Sequence, residues 1–384
     1  MDFTLSEDDQ ALVDLIDRIG TEKFRPKAFE RRNEDGHPID NMRLLGELGV
    51  LGICLPTELG GQGRDALCGI LAIEHIARWC PRTGISATMA IAGPGMFIAK
   101  WGTEQQKAKY LPAIRMGEAN MSIALTEPQA GSALTDLATR AEIRNGVCRL
   151  TGQKTFCSHA GWDGQVLVFC RFAPGTSGIG AVIVERDTPG FTMSEPHYHI
   201  SGTPWWELFF DNAEVPEENV LFSADGFRKL MSSYSLERCA SAASSLGVAQ
   251  AAFEMAREHA VERKQFGRPI CDFQFVQDKL ASMYLALEQA RLLLYKAVKG
   301  GQGTAGRLES SAAKVAGTEA AVFVCDQAMQ IFGGSGMSQE MPLEWMYRVV
   351  RTATVAGGTS DIHRGMIASE IVGRRFEHRL VRAD

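Results

Sequence analysis

No apolar run in the 384 residues approaches the ~20 needed to cross a bilayer as a helix, so no membrane insertion is expected. None of the nine cysteines (Cys54, Cys68, Cys80, Cys148, Cys157, Cys170, Cys239, Cys271 and Cys325) forms a C-x-x-C pair. An odd, unspaced set fits reduced thiols rather than a disulfide framework or a zinc site. The eight histidines do not gather with them, and His197 and His199 alone are too few to hold an ion, so no metal is expected. An excess of positive charge is also missing. Forty Lys and Arg stand against 46 Asp and Glu, a net charge of −6, which argues against a nucleic-acid partner. The opening MDFTLSEDDQALVDLI is acidic and amphipathic rather than basic and then apolar, so neither a secretory nor a transit leader is expected, and the expected location is cytoplasmic. Repeats and low-complexity tracts are absent too.

What remains is ordinary globular composition, 45% hydrophobic and 22% charged, in a chain too long for a single core. Its texture changes twice. Residues 1–120 carry helical periodicity, with helices expected from Ser6, over 41–51 and 65–79, and over 103–116 behind Thr103 as N-cap. Residues 121–225 break into short β-branched and aromatic runs separated by Gly, Pro, Asn and Asp. Residues 226–384 return to helices, expected at 226–262, 272–299, 306–332 and 339–350, with a last one beginning near Ile362. The pattern predicts an α+β protein: an N-terminal α-helical domain (1–120), a middle antiparallel β domain (121–225) and a C-terminal four-helix bundle (226–384). Gly61-Gln62-Gly63-Arg64-Asp65-Ala66 matches the G-x-G-x-x-A dinucleotide fingerprint, but no second strand follows its helix, so it reads as a turn.

Stretch 235–267 organises the chain. Leu236, Ala240, Ala243, Leu246, Ala249 and Phe253 recur at helical spacing, giving one packed face. At its front Glu237-Arg238 is either an acid/base position or a surface ion pair; at its end Arg263-Lys264-Gln265-Phe266-Gly267 is either an anion or cofactor contact or a basic helix terminus. The loop 126–132 offers hydroxyls and free backbone N–H groups, suited to a polar ring or a phosphate and equally to a plain β-connection. The glycine-rich stretches 330–336 and 355–361 fit helix caps.

Taken together these stretches carry a resemblance. TEPQAGSA (126–133), ERKQFGRPICDFQ (262–274), QIFGGSGM (330–337), AGGTSDIHR (356–364) and LPTELGGQG (55–63) resemble, in order and over the whole chain, motifs of the acyl-CoA dehydrogenase family. The resemblance implies FAD between the β domain and the bundle, an acyl-CoA thioester against the flavin, and a carboxylate base. That base removes the α-proton while the β-hydrogen leaves as hydride to flavin N5, giving the trans-2-enoyl-CoA. It further implies an electron-transfer-flavoprotein-like acceptor and a homotetramer, at least a dimer.

Carried over position by position, the family pattern puts Leu125, Thr126 and Gly131 at FAD, and Ser132 near both FAD and the thioester. Phe156 stands where a Trp is usual against the flavin, and Ser158 where a Thr is usual. Arg263 and Phe266 would reach the FAD of a neighbouring subunit, and Gln274, Gln330, Gly334, Thr359 and Asp361 match further FAD-binding positions. Gly357 departs from the pattern: many members carry the catalytic Glu there, and glycine cannot be a base. A branch resembling isovaleryl-CoA and long-chain dehydrogenases carries its base in an L-E-R sequence on the long helix, which here is Leu236-Glu237-Arg238. Glu237 is therefore the expected base, with a pKa raised by an apolar site, and Arg238, Gly357 and Gly358 are expected at the substrate. Ala133 after the GS and the altered strand Thr155-Phe156-Cys157-Ser158 point to a specialised acyl group, with Thr88, Gly95 and Met96 expected at the pocket floor, while the Trp205-Trp206 pair fits either that or plain β-domain core. The departures leave open an enoyl-CoA reductase, a carrier-protein thioester dehydrogenase, another diverged reaction, and an inactive FAD-binding scaffold.

Overall fold

The computed structural model describes residues 4–299, 305–374 and 376. Its first part is built from short capped helices. α1 (Glu7–Ile19) starts where the Ser6 hydroxyl accepts from the Asp9 N–H, with three acids in the first turn where the helix dipole favours them. α2 (Ile39–Glu47) and α3 (Ala66–Trp79, capped by the Asp65 carboxylate) follow. Next come α4 (Pro81–Ala92) and α5 (Pro94–Trp101), each opened by a proline at a position that needs no N–H, and both beyond what periodicity had resolved. α6 (Glu104–Arg115) begins at the expected N-cap Thr103, which forms a full capping box with Gln106. The G-x-G-x-x-A stretch is a turn: Gly61 approaches so closely that a Cβ there would lie 2.1 Å from the Leu55 carbonyl oxygen.

The middle part comprises β1 (Met121–Ala124), β2 (Arg140–Arg144), β3 (Val147–Ser158), β4 (Gln165–Arg171), β5 (Ile179–Glu185), β6 (Phe191–Met193), β7 (His197–Tyr198), β8 (Pro204–Pro216) and β9 (Val220–Phe222). They join in the order β6-β8-β3-β2-β4-β5-β9, with β1 on β4 and β7 on β8. The purely antiparallel expectation needs correcting. β1 runs parallel to β4, and β2 meets β4 in parallel at Arg140 and Arg171. Parallel neighbours need a crossover rather than a tight turn; here the loop after β1 and the β2–β3 hairpin supply it.

The last part begins with α7 (Gly226–Glu262), whose bounds coincide with the expected ones. A short hairpin, β10 (Lys264–Gln265) with β11 (Arg268–Pro269), turns the chain into α8 (Gln274–Lys299). α9 (Arg307–Phe332) and α10 (Pro342–Ala353) complete the four-helix bundle, and α11 (Ser360–Val372) packs on α9 as a further member. Two cores result. One lies within the sheet, around Leu150, Val168, Val182 and Leu208. The other is continuous from the N-terminal helices into the bundle. It is stitched where α7 crosses α3: a Cβ on Gly247 would stand 2.0 Å from the Glu74 carbonyl oxygen, so only glycine permits this approach. No helix of the described residues is long and apolar enough to cross a membrane.

Candidate active site

Small residues on the front half of α7 (Ala240, Ala242, Ala243, Ser245) let its neighbours come close, and this brings Glu237 against the turn before α11. Gly357 and Gly358 in that turn adopt φ of +67° and +99°, a left-handed conformation that favours glycine. A Cβ on Gly357 would stand 2.9 Å from Glu237 Oε2 and 3.1 Å from Oε1, so the carboxylate occupies the space a side chain at 357 would take. Oε2 is shielded from solvent and finds no hydrogen-bond partner. Burial raises the Glu237 pKa, and the positive charges of Lys314 and Arg238 oppose that rise. Arg238 is itself buried, with its Nε unpartnered and its Nη2 3.7 Å from Met231 Sδ; burial lowers its pKa while Glu237 raises it.

Two residues that sequence reading did not single out hold the turn from below. Lys314 on α9, 0% exposed, donates to the Gly358 carbonyl oxygen at 2.6 Å. His363 on α11 contacts the Gly357 carbonyl oxygen through Nε2 at 3.2 Å and the Ser311 hydroxyl through Nδ1 at 3.3 Å. A lysine in the small, apolar run Ala312-Ala313-Lys314-Val315-Ala316 was the available signal: a charge on a face that has to be buried needs a partner.

The sheet presents the next group. Leu125 and Thr126 leave β1, and their backbone is fixed by hydrogen bonds: the Thr155 N–H donates to the Thr126 carbonyl at 2.9 Å, and Lys154 Nζ donates to that of Leu125 at 3.0 Å. Lys154 is also paired at 2.8 Å with Glu127, both buried, and Glu127 accepts from the Ala138 and Thr139 N–H groups. These bonds and the Lys154 charge take the Glu127 pKa below the usual range despite burial. Gly131 and Ser132 are exposed on the same loop, and a Cβ at Gly131 would meet nothing within 4 Å. Along β3, Phe156 (56% exposed, φ +55°) lies 4.4 Å from the Trp205 ring, and Ser158 Oγ lies 3.2 Å from His199 Nε2. The tryptophan pair thus divides: Trp206 joins the sheet core, whereas Trp205 backs the exposed Phe156 ring.

Thr359 and Asp361 belong with Glu237, since Thr359 Oγ accepts the Ile362 N–H to start α11 just beyond Gly358. The remaining expected contacts do not. Arg263 ends α7, Phe266 projects from the hairpin at 92% exposure and φ +51°, and Gln274 opens α8. Gln330 and Gly334 lie at the end of α9, which meets this end of α7 where the His259 and Phe332 rings stack at 4.0 Å. At ~1.5 Å per residue, Arg263 is roughly 40 Å along the α7 axis from Glu237.

The expected residues therefore fall into three groups: Glu237 and Arg238 with the turn before α11, the β1 loop with β3, and the end of α7 with the end of α9 and the start of α8. Family models for the acyl-CoA dehydrogenase N-terminal, middle and C-terminal domains match residues 6–118, 122–213 and 224–372. The chain belongs to the acyl-CoA dehydrogenase family. It is accordingly a flavoprotein oxidoreductase of the CH–CH group with FAD as cofactor. It is 33% identical to the 3-sulfinopropanoyl-CoA desulfinase of Paraburkholderia xenovorans over 98% of this chain and 99% of that one. Among solved structures, a glutaryl-CoA dehydrogenase in complex with glutaryl-CoA superposes with a TM-score of 0.93 at 33% identity, covering 99% of this chain and 100% of the other. A glutaryl-CoA dehydrogenase from Mycobacterium smegmatis in complex with FADH2 superposes at 0.90 with 25% identity, covering 98% and 97%.

The residues present fit FAD. An exposed aromatic face at Phe156, a loop whose carbonyls are locked by Lys154 and Thr155, and open space over Gly131, Gly333 and Gly334 suit a planar ring and a long, polar cofactor tail.

Proposed function

We propose that the chain is an acyl-CoA dehydrogenase whose base is Glu237. The observation that carries this reading is the Glu237 carboxylate lying against Gly357, with Oε2 shielded and unpartnered. Bound FAD supplies the hydride acceptor for the β-hydrogen. The chain's own residues do the rest. Glu237 takes the α-proton, and its raised pKa brings it closer to that weak acid's needs, as a general base requires. Backbone groups of Gly357 and Gly358 orient the thioester carbonyl so that its polarisation accompanies proton removal. Leu125, Thr126, Gly131, Phe156, Ser158, Thr359 and Asp361 are proposed to hold one protomer's FAD, with Ser132 at the thioester end and Arg238 beside the acyl group.

Arg263, Phe266, Gln274, Gln330 and Gly334 are proposed to clasp the FAD of a neighbouring protomer, because ~40 Å separates them from Glu237 along α7. The assembly is then at least a dimer, with a homotetramer as the proposed form. Apolar residues on the outer side of α8, including Phe275, Leu285 and Leu292, are exposed in the single chain and suit such contacts. Electrons would leave to an electron-transfer flavoprotein. The free, mostly buried cysteines suit a reducing compartment, proposed to be the cytoplasm.

A second reading is favoured by one observation: a family member named as a desulfinase is 33% identical over nearly the whole chain. A reaction other than dehydrogenation can therefore run on this scaffold. Anaerobic mixing with butyryl-, isovaleryl-, glutaryl- and palmitoyl-CoA separates the two. Bleaching of the flavin band by one of them, slowed roughly 10²–10⁴-fold in Glu237→Gln with FAD retained, supports the dehydrogenase. An unbleached flavin with all four overturns it in favour of a diverged reaction.

A further inference from the structure

Lys314 has no part in the proton transfer or the cofactor contacts, yet it bonds the turn against which Glu237 lies. It projects from α9, is wholly buried, and gives its hydrogen bond to the Gly358 carbonyl oxygen. His363 reaches the preceding carbonyl, that of Gly357. Two successive carbonyls of one turn are thus tied down by two buried side chains on different helices. The Glu237 carboxylate rests on the outer side of that same turn.

A buried ammonium needs an anion nearby. α7 brings Tyr234, Glu237 and Arg238 to this region, α9 brings Arg307 and Glu319, and α11 brings His363 and Arg364. Glu319 is already bonded through both oxygens to Arg364, at 2.5 and 2.6 Å. Glu237 is the carboxylate that shares this turn with Lys314: it lies against Gly357 while Lys314 holds Gly358, and its Oε2 has no other partner.

We propose that Lys314 is a positioning residue for the base: it anchors the Gly357–Gly358 turn through the Gly358 carbonyl and supplies a buried positive charge that favours the ionised form of Glu237. This rests on Glu237 being the base. Burial pushes the Lys314 ammonium down to about 8, so it is still charged at neutral pH. Its charge pulls the Glu237 pKa down against the rise that burial imposes. Arg238 adds to this but does not replace it, since its Nη2 lies against Met231 and it makes no bond to the turn.

The test uses the FAD-loaded enzyme and Lys314→Gln, Lys314→Met and Lys314→Arg. Gln keeps a donor for Gly358 and loses the charge, Met loses both, and Arg keeps the charge. Infrared titration follows the protonated carboxyl band of Glu237, assigned by its loss in Glu237→Gln, and needs no turnover. The pH profile of flavin bleaching, with whichever of the four acyl-CoAs reduces the wild type, is read alongside. The base must be ionised to act, so bleaching speeds up as pH rises through its pKa. In Lys314→Gln both midpoints are expected to move up by about one to three pH units, as loss of a nearby opposite charge does. Bleaching near neutral pH should then fall about tenfold or more and recover at higher pH. Lys314→Arg should return the midpoints toward wild type, and Lys314→Met should also stay slow at high pH because its turn is unanchored. Should Met fail to fold, Gln and Arg decide. Wild-type midpoints in Lys314→Gln, with Glu237→Gln inactive, would overturn the role of Lys314 and leave the base standing. Unimpaired bleaching in Glu237→Gln would instead sink the base assignment and this proposal with it.

Discussion

Glu237 and Gly357 are a complementary pair: the carboxylate on the helix stands so close to the turn that a Cβ at 357 would clash with it, 2.9 Å from Oε2. The absence of a side chain at 357 and the presence of an acid at 237 are one feature seen from two sides. This contact explains why the glycine is tolerated at the mouth of the site, where its backbone, at φ +67°, also suits no other residue well.

Gly357→Ala should accordingly be costly twice. Left-handed backbone strain is expected to destabilise the protein by about 1–3 kcal/mol, read by urea unfolding. The added methyl should also displace the carboxylate and slow flavin bleaching at least tenfold while FAD stays bound. Unchanged bleaching would mean that the carboxylate has room to spare.

His363 should make the fold acid-sensitive in a defined window. Burial, together with the charges of Lys314 and Arg238, pushes its pKa from 6.5 down to about 4. Between these values the unfolded chain binds a proton that the folded one refuses, so stability falls as pH drops from about 6.5 to about 4. The loss is complete below that and absent above 6.5. The size is about 3 kcal/mol. Urea midpoints for wild type and His363→Gln, compared at neutral pH and near pH 4, should converge or cross as the wild type loses this increment. Parallel curves would show that His363 takes up its proton equally in the folded and the unfolded chain.

Sharing of sites between protomers predicts rescue by mixing. Glu237→Gln chains and Arg263→Glu/Phe266→Ala chains should each be poorly active alone. Co-expressed, they should regain activity in roughly a quarter of the sites, because random pairing in a two-fold assembly joins an intact base to an intact clasp in that share. Activity no higher than the sum of the separate variants would place both groups in one protomer's site.

Much of the architecture was legible in the chain because helix signals there are strong and local. Thr103 caps α6 as expected, with Gln106 completing a capping box, and α7 keeps the expected bounds 226–262. α4 and α5 were harder to read, since they run through buried sequence with little polar contrast and are separated by a single glycine. The parallel β1–β4 pairing was hidden for another reason: strand direction depends on how a crossover is routed, not on alternation within either strand. Around the candidate site, Glu237 could be proposed because an acid was missing elsewhere. Lys314 and His363 could not, because their partners are backbone carbonyls distant in sequence, and carbonyls leave no mark on composition.

A carboxylate in the interior of a 37-residue helix rides on a backbone that cannot swing. A base carried by a loop can follow the carbon it deprotonates, tolerating acyl groups of differing girth; one fixed to a rod packed on several sides makes the substrate do the adjusting. Selectivity in such a site would arise from reach. An acyl group is accepted when its α-carbon arrives at a stationary oxygen, and refused when branching or bulk stops it short.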